Sequence, residues 1–106
     1  MPFIDTSKLK VTERLPGWNG RYFHSENMTF AYYEFKGGST IHEHFHPQEE
    51  VYDVIEGELE LTIDGETRII RPGIVAIVPS NARHWVKALS DGRAIIVDSP
   101  ARPEFH

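Results

Sequence analysis

His42, His44 and His46 alternate along the chain, Glu50 follows the last of them one helical turn's length later, and His84 stands further on. Imidazole nitrogens with a carboxylate oxygen are donors that suit a divalent first-row metal: iron, manganese, nickel, copper or zinc. If residues 40–46 form a β-strand, side chains two apart share a face. A rise of ~3.3 Å per residue then sets neighbouring imidazoles ~7 Å apart. Rings at that spacing can converge on one ion through bonds of ~2.0–2.1 Å. Pro47 interrupts strand pairing, so the chain must turn before Glu50 returns on the next strand. The competing reading is a solvated face carrying histidines by chance. It fits His24, at a strand end, and His106, at the terminus, better than it fits a row flanked by apolar runs.

The elements that must position these groups are short strands. The chain has 106 residues, enough for one compact domain. Hydrophobic residues make up 40%, enough to bury an interior, and the net charge of −5 argues against a nucleic-acid or anionic-membrane partner. There is no cysteine, so neither disulfides nor thiolate ligands arise. Residues 1–10 lack the basic start and apolar stretch of a secretory leader, and a cytoplasmic protein is expected.

Turn signals recur at Gly37-Gly38, Gly57, Asp64-Gly65, Pro72-Gly73, Pro79-Ser80-Asn81 and Asp91-Gly92. Between them lie runs rich in β-branched and aromatic residues at 21–24, 28–35, 40–46, 51–55, 58–63, 67–71, 74–78, 84–89 and 93–97. Strands so spaced predict an all-β sandwich or barrel. Helix is confined to a turn near residues 6–9 or at Gln48. The run 58–63 alternates, turning Leu59, Leu61 and Ile63 inward. The run 74–78 is apolar on both sides, as where both faces of a strand are covered. The chain's own tail and a partner subunit are the two candidate covers, which points to a homodimer. A single domain spans 1–106, with its core at about 28–98, an N-terminal arm at 1–20 and a tail at 99–106.

With these positions in view, the chain resembles the cupin family, and is most similar to its small single-domain members. Gly38, His44, His46, Glu50 and Gly57 fill every fixed position of the family's first motif, and Gly73, Pro79 and His84 match the second. Asn81 stands where the second motif has glycine, a mild departure because asparagine tolerates a left-handed backbone. Ala88 replaces the motif's last asparagine, which is not a ligand. The resemblance covers residues 30–98 approximately. It implies a jelly-roll-like barrel, the double-stranded β-helix of two antiparallel sheets, often dimeric. It also implies a divalent metal held by His44, His46, Glu50 and His84 at the barrel mouth, which leaves His42 as a pocket residue.

Within the family, the small cupins that ketonise unsaturated uronates share the His-x-His-Pro segment and a C-terminal proline and arginine. Arg102 keeps its place, but Ile96 stands where those enzymes carry an acid, and an isoleucine transfers no proton. Asp98 could substitute only if the strand end shifts register. Counting from Glu50 and His84, Tyr52, Val54, Val86 and Ala88 point inward, and Phe30 or Tyr32 supplies an aromatic wall. The expected function is a metalloenzyme with three histidines and one glutamate as ligands. It acts on a small oxygenated molecule (sugar acid, keto acid or enol) by isomerase, lyase or dioxygenase chemistry. His42, Asp98 or Tyr52 would serve as acid or base and Arg102 would hold a carboxylate. The alternative is a non-catalytic module binding metal and a small ligand, favoured if no titrating side chain lies near the metal ligands.

Overall fold

The computed structural model describes residues 2–105, and the reading of His106 lies outside them. A 3-10 turn (Thr6–Lys8) precedes ten strands: β1 (Thr12–Leu15), β2 (Trp18–His24), β3 (Thr29–Phe35), β4 (Thr40–His44), β5 (Glu49–Glu56), β6 (Leu59–Ile63), β7 (Glu66–Ile70), β8 (Val75–Val78), β9 (His84–Ala88) and β10 (Gly92–Ser99). They form two antiparallel sheets, one in the order β1-β2-β3-β10-β5-β8 and one in the order β4-β9-β6-β7. The expected jelly-roll of two sheets is the architecture found. Among the described residues no helix is long and apolar enough to cross a membrane.

Alternation builds the core between the sheets. Tyr52 and Val54 from β5, Leu59 and Leu61 from β6, Val86 and Ala88 from β9, and Ala94 and Ile96 from β10 are all buried. The hairpin between β6 and β7 turns on Asp64 and Gly65, both at positive φ (47° and 82°), the geometry that strand twist favours in a two-residue turn. Asn81 also lies at positive φ (62°), so asparagine adopts the left-handed conformation in place of the motif glycine.

Four expectations need correction. The core reaches further towards the N terminus than residue 28, because Trp18 is only 1% exposed and β1 and β2 belong to the large sheet. Strand 40–46 ends at His44 and carries a bulge: Ile41 pairs with Val86, yet His44 pairs with His84, one residue out of step. The aromatic wall is Tyr33 rather than Phe30 or Tyr32, since Ala31, Tyr33 and Phe35 are the buried members of β3. The outward face of β8 is bare, with Val75 52% and Ile77 59% exposed, and the tail does not cover it. Phe105 packs instead edge-on against Tyr22.

Candidate metal centre

The bulge in β4 and the end of that strand bring histidines from two kinds of backbone to one point. His44 closes β4, His46 lies in the turn beyond it, Glu50 opens the buried face of β5, and His84 opens β9. Their donor atoms all lie within 4.8 Å of one another. This is the set that the two motifs select, and His42 is not part of it.

The outer nitrogens fix the chemistry of the inner ones. The Nδ1–H of His44 donates to the His42 carbonyl at 2.7 Å, that of His46 to Gln48 O at 3.1 Å, and that of His84 to Ala82 O at 2.9 Å. A carbonyl accepts only, so each Nδ1 carries the proton and each Nε2 is left as the donor atom facing the cluster. His46 Nε2 is buried and has no hydrogen-bond partner, a state that costs free energy unless something binds there. Three such nitrogens and one carboxylate fit a divalent first-row cation.

The electrostatics agree. Burial works to raise the Glu50 carboxyl, but the facing His46 and His84 imidazoles and the neighbouring Asp98 outweigh it and hold Glu50 below the usual carboxylate range. Burial pushes His44 down, favouring the neutral ligand form. His84 is also penalised by burial, but its hydrogen bond to Glu50 raises it, favouring a second proton, on Nε2, that a bound metal would displace. The His84 Nε2 to Glu50 Oε1 distance is 3.1 Å.

Asp98 lies beside Glu50 rather than in the open site. The β10–β5 register is regular from Ala94 to Ser99 and pairs Asp98 with Glu50, so no slip moves the strand end. Burial, then the neighbouring Glu50, raises the Asp98 carboxyl to about 9, so Asp98 keeps its proton beside an ionised Glu50. Arg102 Nη1 reaches Asp98 Oδ2 at 3.7 Å and Glu50 Oε2 at 3.8 Å. Tyr52 is buried, and burial, then the Glu50 carboxylate beside it, raises its hydroxyl well above the ordinary value. Asp98 and Tyr52 therefore brace the ligand from the protein side. Asp98→Leu is expected to lower divalent-metal affinity by about 10–100-fold while Asp98→Asn, which can still donate, stays near wild type. Competition against a chromogenic chelator measures both.

A cavity of about 360 Å³ opens onto the cluster, lined among others by His42, His44, Glu50, Tyr52, Ile96, Arg14 and Arg102. His42 is exposed, and its ring centroid lies 5.8 Å from that of His44. Ile96 does line the cavity, so the position that holds an acid in uronate-ketonising cupins is apolar here. Phe105 stands between the two guanidiniums, with Arg14 Cζ 4.3 Å and Arg102 Cζ 4.2 Å from its ring centre. Arg14, Trp18 and Phe105 carry no motif signal, and only the meeting of both chain ends at the barrel mouth reveals them.

A barrel of two antiparallel sheets with a three-histidine, one-glutamate cluster at its mouth defines the metal-binding cupin class. The cupin domain family matches residues 31–100, and this chain belongs to it. It is 32% identical over 81 residues to SCO3923, an uncharacterized protein of Streptomyces coelicolor, covering 76% of this chain and 77% of that protein. It is also 32% identical over 74 residues to the dimethylsulfoniopropionate lyase DddW of Ruegeria pomeroyi, covering 70% of this chain and 49% of the lyase. This chain thus spans about half the length of that relative. An RmlC-like cupin from Shewanella frigidimarina shares the fold, with a TM-score of 0.92 at 22% identity over 100% of this chain and 96% of that one.

Proposed function

We propose that this chain is a metal-dependent enzyme that moves a proton on a small carboxylate-bearing substrate, by isomerase or lyase chemistry at a carbon next to a carbonyl. One observation carries the reading: His42, which is not in the ligand cluster, lines the same cavity as the ligand His44. An imidazole beside a metal site that is not one of its ligands is what a mere binding module has no need of.

The charge of the cavity supports an anionic substrate. Two guanidiniums line it, and its one carboxylate, Glu50, is committed to the cluster. Arg14 and Arg102 receive the substrate carboxylate, Arg14 as the more exposed of the two. Tyr33, Tyr52, Phe105 and Ile96 form a largely apolar wall that limits water around the reacting carbon. A volume near 360 Å³ suits a keto acid or sugar acid. When bound, the divalent ion supplies Lewis acidity to a substrate oxygen. His42 takes the proton from the neighbouring carbon or returns it. The lyase named among the curated relatives, at 32% identity, is a precedent for the lyase branch.

Proton transfer can be tested before the natural substrate is known. Protein loaded with Mn(II), Fe(II), Ni(II) or Zn(II) is incubated in D₂O with a panel of 2-keto acids and uronic acids and their amides. Deuterium entering the carbon next to the carbonyl is followed by NMR and mass spectrometry. Exchange of at least one acid, abolished by chelation and absent from the matching amide, is the expected result. No exchange across the panel with any of these metals would overturn the proposal. Arg14→Gln is expected to weaken binding of the exchanging acid about tenfold without changing metal content, as read by calorimetry.

A further inference from the structure

The two guanidiniums that line the cavity are engaged by the chain's own tail. Phe105 lies between them, its ring centre 4.3 Å from Arg14 Cζ and 4.2 Å from Arg102 Cζ. The residue before it takes up their N–H groups. Arg14 Nη1 donates to the Glu104 carbonyl at 3.1 Å, and Arg102 Nε donates to Glu104 Oε2 at 3.1 Å. A carboxylate gripped by two guanidiniums needs charge-assisted bonds of ~2.7–2.9 Å to both. The space in which those bonds would form is the space that the Phe105 ring fills. Tail and incoming anion therefore compete for the same two groups.

The tail is fastened unevenly, which shows where it would bend. The Arg102 main-chain N–H donates to Thr29 Oγ1 at 2.7 Å, a part-buried bond to β3. Pro103 follows, with no N–H to tie it down. Beyond it the side-chain contacts are exposed: Arg14 and Arg102 to Glu104, and His24 Nε2, which donates to the Phe105 carbonyl. A main-chain bond from Phe105 N–H to Arg102 O, at 3.1 Å, closes the turn. The Phe105 ring packs edge-on against Tyr22 with centroids 5.2 Å apart and stays half-buried. A segment held by exposed hydrogen bonds and a single ring belongs to the low-stability end of a fold and opens locally at little cost.

Taking Arg14 and Arg102 as the receptors of the substrate carboxylate, as proposed above, we infer that residues 103–105 are an autoinhibitory strap. In the free protein Glu104 and Phe105 occupy the two guanidiniums, and the substrate carboxylate displaces them as the tail swings out about Arg102. Tyr33, Tyr52 and Ile96 keep the rest of the cavity wall in place. One set of partners replaces another, so the cost of opening falls on the ligand's affinity. Apparent binding is weakened by the fraction of molecules whose strap is open. The strap is also a filter. A carboxylate can take over both guanidiniums, whereas its neutral amide offers nothing in return for the lost Glu104 pair.

Calorimetry and hydrogen exchange on Zn(II)-loaded protein, with pyruvate as the probe and pyruvamide as its neutral control, test the strap. Phe105→Ala should tighten pyruvate binding about tenfold and Glu104→Gln about threefold, with pyruvamide unmoved. A ring that served only as wall gives the opposite sign, weaker binding in Phe105→Ala. The Phe105 amide, followed by NMR, should exchange at least about tenfold faster once wild type is saturated with pyruvate. Binding no tighter in either variant would overturn the inference, as would a Phe105 amide that pyruvate leaves equally or better protected. Pyruvate that binds neither wild type nor the two variants would overturn it too. Arg14→Gln tells the two readings apart. Weaker pyruvate binding there, without tightening in the strap variants, removes the strap alone; binding indifferent to Arg14→Gln removes the carboxylate assignment and the strap with it. Circular dichroism checks folding, and should Phe105→Ala fail to fold, Glu104→Gln decides with wild type, since Glu104 is exposed.

Discussion

Replacing His46 by alanine is expected to lower divalent-metal affinity by more than about 100-fold, because losing a direct donor exceeds the 10–100-fold cost of losing an outer support. The metal-free protein should hardly notice. His46 Nε2 makes no hydrogen bond that the substitution could remove, and the ring's one bond, to Gln48 O, holds a turn rather than the core. Metal-loaded protein differs, since an ion bound only to the folded state stabilises it by mass action. Added Zn(II) or Mn(II) should therefore raise the Tm of wild type and leave that of His46→Ala where it was. Thermal denaturation with and without metal measures both arms. His44→Ala and His84→Ala should follow His46→Ala, whereas His42→Ala should keep the full metal-dependent rise.

His42→Ala is expected to slow deuterium exchange by about 10²–10⁴-fold, the usual contribution of a positioned acid or base. The variant's metal content and its affinity for the unreacted carboxylate should stay at wild-type levels. That split separates a group that moves the proton from one that holds the ion or the substrate. His42 lies at the cavity wall with an exposed side chain, so its removal empties no buried space. A His42→Ala variant that exchanges at the wild-type rate would transfer the role elsewhere, and Tyr33 and Tyr52 are the hydroxyl-bearing side chains in the cavity wall outside the ligand set.

The contrast between His42 and its neighbours shows what the linear sequence carries and what it does not. Two correctly spaced motifs identified His44, His46, Glu50 and His84, and turn dipeptides marked out nine of the ten strands. Period-two alternation turned Tyr52, Val54, Val86 and Ala88 inward, as found. Alternation failed at residues 40–46, where a bulge adds one residue against β9 and the strand stops at His44. A bulge changes pairing without changing composition, so nothing in that run announces it. The strand β1 was missed because Thr12-Glu13-Arg14-Leu15 is mostly polar and sits at the sheet edge. With it went Arg14, whose place in the cavity depends on the two chain ends meeting around Phe105. Asp98 was legible as a residue worth watching, but only the register of β10 against β5 shows that it braces Glu50.

The central claim, that Nε2 of His44, His46 and His84 and a carboxylate oxygen of Glu50 share one divalent ion while His42 stands free, is tested most directly by anomalous diffraction. Crystals grown with Mn(II) or Zn(II) are measured on either side of the metal's absorption edge. The expected result is one peak in the cluster, ~2.0–2.2 Å from those four donors and outside bonding distance of His42. A peak bonded to His42 in place of His44, or no peak in the cluster of a fully metal-loaded crystal, would contradict it.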